Sequence, residues 1–127
     1  MEKPYFDCII CCLTLCSVDD VLVATENMRQ CIRPNGGTFG YVEHVAVFEN
    51  EDEKDFNINH SILNLQQQIL DPVQQLFVDN CHLHRFSEDS IIQTFQKDAT
   101  IIQRERFYVD DMWPVSCQCS GVIQLQK

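Results

Sequence analysis

Phe6-Asp7-Cys8-Ile9-Ile10-Cys11-Cys12-Leu13 is the stretch on which the fold turns. Its side chains past Asp7 are apolar on both faces, and a polar break follows at Ser17-Val18-Asp19-Asp20. A short run of this kind reads as a central parallel strand, buried by helices above and below. Downstream, Val21, Ala24, Met28, Cys31 and Ile32 recur along one face of a helix, with the aspartates at its N-terminal cap and Pro34 beyond its end. Asn35-Gly36-Gly37 supplies residues that tolerate positive φ, so the chain can reverse into a second strand from Thr38 to Val47. A strand-helix-strand unit implies a right-handed crossover and a parallel pair.

Farther out the pattern is less regular. The charged run from Glu49 to Asp55 reads as a solvated loop. Ile58, Ile62, Leu65 and Ile69 mark a helical stripe that Pro72 should interrupt, with Asp71 capping a short second helix through Val78. Ser87, Glu88 and Asp89 open another helix that buries Ile91, Ile92 and Phe95. Two closing strands, Thr100 to Val109 and Gln118 to Gln126, flank a loop containing Met112, Trp113 and Pro114. The order is α/β with a final hairpin.

Composition excludes more than it identifies. A chain of 127 residues with 45% hydrophobic content fills one modest core, a single domain. Its net charge of -10 repels phosphate backbones and anionic membranes, so nucleic acid is not an expected partner. The apolar run from Cys8 to Cys16 is far shorter than the ~20 residues that span a bilayer, and Met1-Glu2-Lys3 does not open a signal peptide. A soluble, intracellular, cytoplasmic protein is expected.

Eight cysteines without a secretory signal read as reduced thiols, with Cys8, Cys11, Cys12 and Cys16 acting as small buried hydrophobes. The rival reading is zinc, because Cys8 and Cys11 have C-x2-C spacing and Cys117 and Cys119 offer further ligands. Ile9-Ile10 favours extended strand instead, which sends alternate side chains to opposite faces. Cys81 next to His82 has no recognised ligand spacing either, so no metal is expected.

Three ordered segments carry a resemblance. They are Phe6-Asp7 through Leu13-Thr14-Leu15-Cys16-Ser17-Val18, Arg33-Pro34-Asn35-Gly36-Gly37 through Glu43-His44-Val45, and Cys81-His82-Leu83-His84-Arg85. Together they resemble the second half of a type 11 (UbiE-like) class I S-adenosylmethionine (SAM)-dependent methyltransferase. Within that superfamily they are most similar to the methyltransferase-like protein 7 family of small-molecule thiol methyltransferases. The similarity continues through Pro114-Val115 to Gly121.

The resemblance implies a partial Rossmann-like methyltransferase sheet, strands four to seven of the family, with the last pair antiparallel and helices flanking it. It also implies SAM as methyl donor, flanked by Cys12, Leu13, Thr14 and Ser17 just past the first strand here. Glu43 and His44 would face the acceptor and carry catalysis, and His82, His84 and Arg85 would line the acceptor mouth. The bland alternatives are strand-end packing, hydrogen bonding to loop backbone and helix capping, respectively. The acceptor would be a small molecule, a thiol or similar nucleophile.

Two departures from the family pattern stand out. The glycine-rich turn after the family's first strand and the acidic residue ending its second have no counterpart, so the chain is expected to be an incomplete enzyme that binds SAM weakly alone. Cys117-Gln118 stands where the family commonly has Pro-His. A non-catalytic remnant or interaction module is the alternative function. An apolar strand lacking its neighbour also invites pairing, so Phe6 to Leu13 is expected to recruit a second polypeptide or a second copy. Members of the family carry an N-terminal hydrophobic anchor, which has no counterpart in this stretch.

Overall fold

Phe39 anchors the interior: it is fully buried, stacks on Phe95 at 4.9 Å between ring centroids, and lies beside Tyr41. The computed structural model of the chain describes residues 5–46 and 60–126. Its elements run β1 (Cys8–Cys12), α1 (Val21–Cys31), β2 (Thr38–His44), α2 (His60–Phe77), α3 (Ser87–Phe95), β3 (Ala99–Tyr108), a 3-10 turn (Asp110–Met112) and β4 (Cys117–Leu125). The expected charged loop from Glu49 to Asp55, and Ile58, lie outside the described residues.

The strands form one four-stranded sheet in the order β1-β2-β4-β3. β1 runs parallel to β2, with Cys11 beside Tyr41, while β4 is antiparallel to both β2 and β3. The α/β class, the parallel first pair and the antiparallel last pair all match the sequence reading. The crossover helix α1 starts where Asp20 accepts from the Val23 amide at 3.0 Å, satisfying one of the free donors of the first turn. It packs along α3, where the Thr25 and Thr94 hydroxyls meet at 2.8 Å. Asn35 and Gly36 take positive φ as expected, whereas Gly37 serves close packing, because a Cβ there would meet the Arg33 carbonyl and the Ile32 side chain.

Alternate residues of three strands share one buried face: Cys11 on β1, Phe39, Tyr41 and Glu43 on β2, and Cys117, Cys119, Gly121, Ile123 and Leu125 on β4. The helix α3 covers that face through Ile91 and Phe95. The opposite face is more open, and this corrects the reading of β1 as buried on both sides. Only Cys11 of that strand is buried, Cys8 and Cys12 are exposed, and Ile10 is 74% exposed. Cys31 is exposed as well, because α1 turns it off the face that carries Val21.

Pro72 does not interrupt α2, which is continuous across it. Asp71 starts no helix; its carboxylate accepts from the Leu83 amide at 2.6 Å and ties α2 to the segment that follows. Among the described residues of α2, Leu63 and Gln67 are buried, and the anticipated stripe of Ile62, Leu65 and Ile69 faces outward.

The buried face has a second polar centre, away from the sheet end discussed below. Glu88 accepts from Arg104 at 2.8 Å, Arg106 at 2.9 Å and the Tyr41 hydroxyl at 2.8 Å. Tyr41 reaches it by lying across Gly121, where a Cβ would fall within 2.7 Å of the ring.

Candidate functional site

Parallel strands present their carboxyl ends on one side, and in open α/β sheets the ligand crevice lies there. At that end of β1, Leu13 takes a left-handed φ of 48° and swings the chain off the sheet. The turn leaves Cys12, Leu13 and Thr14 exposed in succession and Ser17 half-buried, while Leu15 and Cys16 turn inward. The four residues expected beside the donor therefore sit together on one rim.

Two polar side chains, Glu43 and Arg85, grip this loop from opposite sides. The Glu43 carboxylate, fully buried at the end of β2, accepts from the Thr14 amide at 3.0 Å and the Leu15 amide at 3.2 Å. Arg85 donates to the Leu15 carbonyl at 2.9 Å and the Val18 carbonyl at 2.5 Å. Burial pushes the Glu43 carboxyl up, against the Cys11 thiol and the two amides, which favour its charged form. Cys11 is in turn raised to about 12 by burial and by Glu43.

His44, next along β2, is buried on another side of the strand end. Its Nε2 lies 3.2 Å from the Cys81 thiol, and its Nδ1 has no hydrogen-bond partner. Burial lowers its pKa to about 4, so the ring is neutral. Cys81 is raised to about 11 by burial and by the adjoining Cys16 thiol. The Cys16, His44 and Cys81 ligand atoms all lie within 4.8 Å of one another, and all three residues are buried.

Glu43 and His44 were expected to face an acceptor pocket; both instead point into the protein, Glu43 to hold the loop and His44 to meet two thiols. Arg85 likewise joins the loop. His82 donates its backbone amide to the Cys16 carbonyl at 2.8 Å and keeps a half-buried ring, whose pKa burial and Arg85 lower. His84 pairs with Asn64 of α2 at 2.9 Å and packs edge-on against Phe86. Of the substrate-side trio, then, His82 and His84 remain near the surface. Sequence reading missed the roles of Leu15, Cys16 and Asp71, since nothing local marks them. All eight cysteines are free, and Cys8 and Cys11 fall on opposite faces of β1, which removes the C-x2-C zinc reading.

No family model matches the chain. The human thiol S-methyltransferase TMT1A is 35% identical over 81 residues, which are 64% of this chain and 29% of that protein. The chain thus spans less than a third of the length of that curated relative. Among solved structures, the N-methyltransferase NodS from Bradyrhizobium japonicum in complex with S-adenosyl-l-homocysteine superposes with a TM-score of 0.56 at 12% identity, covering 100% of this chain and 50% of that one. An S-adenosylmethionine dependent methyltransferase from Mesorhizobium loti gives 0.58 at 14% identity, covering 98% and 63%. Among the described residues, no helix is long and apolar enough to cross a membrane. Over 81 residues the chain is thus similar in sequence to a thiol S-methyltransferase, and its fold is the one seen in part of these SAM-dependent methyltransferase structures.

Proposed function

We propose that this chain forms the acceptor side and one donor edge of a SAM-dependent methyltransferase acting on a small thiol. The observation that carries the reading is the rim at Cys12, Leu13 and Thr14, exposed at the carboxyl end of a parallel pair and held in shape by Glu43 and Arg85. The name of the human relative supports the thiol.

Bound SAM supplies a sulfonium methyl group for in-line displacement by the acceptor sulfur, leaving S-adenosylhomocysteine. Cys12, Leu13, Thr14 and Ser17 would line the donor, a wall that fits its mixed apolar and polar surface. A thiol ionises near pH ~8.5 in water, so it needs alignment more than a strong base. Glu43 and His44 accordingly act as positioning residues, and His82 and His84 border the acceptor.

Amide chemical shifts read the donor edge directly. Millimolar SAM should move the resonances of Cys12, Leu13, Thr14 and Ser17, and Leu13→Asp should abolish the change. Absence of any shift at that rim would sink the reading.

The outer edge of β1 favours a second role as an interaction module. Among the described residues no strand pairs with that edge, and Ile10 stands exposed beside it. A second polypeptide or a second copy would extend the sheet there. Light scattering that shows a monomer across micromolar concentrations, with a single cooperative melt, would contradict this.

A further inference from the structure

We infer that Cys16, His44 and Cys81 form a zinc site. Three segments far apart in sequence deliver it: the loop after β1, the end of β2 and the stretch after α2. Soft thiolates with an imidazole are the donor set that zinc takes, and three protein ligands leave one of four tetrahedral positions for a solvent molecule.

The present contacts suit that occupant better than they suit an apolar core. The His44 Nε2 and Cys81 Sγ approach to 3.2 Å, the Cys16 Sγ adjoins the Cys81 thiol and makes weak contacts to the Leu13 carbonyl at 3.9 Å and the Ser17 hydroxyl at 3.5 Å, and His44 Nδ1 is a buried nitrogen without a partner. The ligand atoms lie within 4.8 Å of one another, so zinc bonds of about 2.0–2.3 Å reach all three from a central point with small movements. Binding converts both thiols to thiolates, so two protons leave as one divalent ion enters, and the site ends neutral. The three segments become cross-linked without a disulfide. The site stands on geometry alone, independent of whether the chain transfers methyl groups.

Cobalt substitution tests it on the whole chain under reducing, metal-free conditions. One equivalent of Co2+ should give thiolate-to-cobalt charge-transfer absorption with tetrahedral ligand-field bands, and Zn2+ should displace it. Cys16→Ser, Cys81→Ser and His44→Gln should each weaken binding at least tenfold, whereas Cys8→Ser and Cys31→Ser, at exposed thiols, should leave it unchanged. X-ray absorption of the zinc-loaded unaltered chain does not depend on variants that fold, and should show two sulfur neighbours with lighter atoms completing the shell. No charge-transfer band, a band that survives Cys16→Ser and Cys81→Ser, or a four-sulfur shell would overturn the inference.

Discussion

Two buried carboxylates lie on the same sheet face, and their surroundings treat them oppositely. Glu88 sits among two guanidinium groups and a phenol; burial pushes its pKa up, but the bonds from Arg104, Tyr41 and Arg106 outweigh that and hold it below the ordinary value. Glu43 meets only a thiol and backbone amides, and burial prevails, raising it. Burial pushes both carboxyls the same way, and the neighbouring guanidinium groups reverse the direction only at Glu88. The Glu88 centre fastens α3 to β2 and β3, whereas the Glu43 centre shapes the loop after β1.

This contrast is open to breakage by substitution. The largest effect should come from Glu88→Gln, which strips two partly buried arginines of their counter-charge; we expect a loss of about 2–3 kcal/mol in urea unfolding, toward the low side because Arg104 is partly exposed. The same centre sets a pH dependence. A depressed carboxyl contributes fully above its unfolded value, here 4.5, and the contribution disappears as pH falls below that through the folded value. Stability should thus fall more steeply below pH 4.5 in the unaltered chain than in Glu88→Gln; parallel curves would refute the assignment.

Glu43→Ala should cost less, about 1–2 kcal/mol, by orphaning the Thr14 and Leu15 amides. Glu43→Gln, which retains an acceptor oxygen, should lose under ~1 kcal/mol, and amide exchange at Thr14 and Leu15 should separate the two. If Gln costs as much as Ala, a charged Glu43 matters in a way the amides do not explain. Gly121→Ala forces the Tyr41 ring away from Glu88 and should cost about 1 kcal/mol or more, with loss of the difference in pH response. The smallest effect on stability, within ~0.5 kcal/mol, belongs to Ile10→Lys at the exposed position of β1, which should nonetheless reduce self-association in light scattering.

Much of the fold was legible because it obeys short-range patterns. The Ile9-Ile10 run, the Asp20 cap, the Asn35-Gly36 reversal and the two closing strands all appear where local chemistry placed them. Misreadings came where tertiary contacts prevail. Pro72 removes one helical hydrogen bond, yet the rest of the α2 ladder continues, and Asp71 is drawn off to Leu83. β1 looked doubly covered because apolar composition cannot reveal that only one sheet face receives α3. The thiol and imidazole cluster was invisible for a simpler reason: Cys16, His44 and Cys81 share no local spacing, and only the folded chain brings them together.

The double grip on the stretch after β1 has a last consequence. With amides bound by Glu43 and carbonyls by Arg85, this connection is fixed from both directions like part of the interior. A molecule arriving at its outer surface meets a shape already set, and little conformational freedom remains to be lost on association. Recognition there would be governed by fit, with the freezing of a mobile segment contributing little.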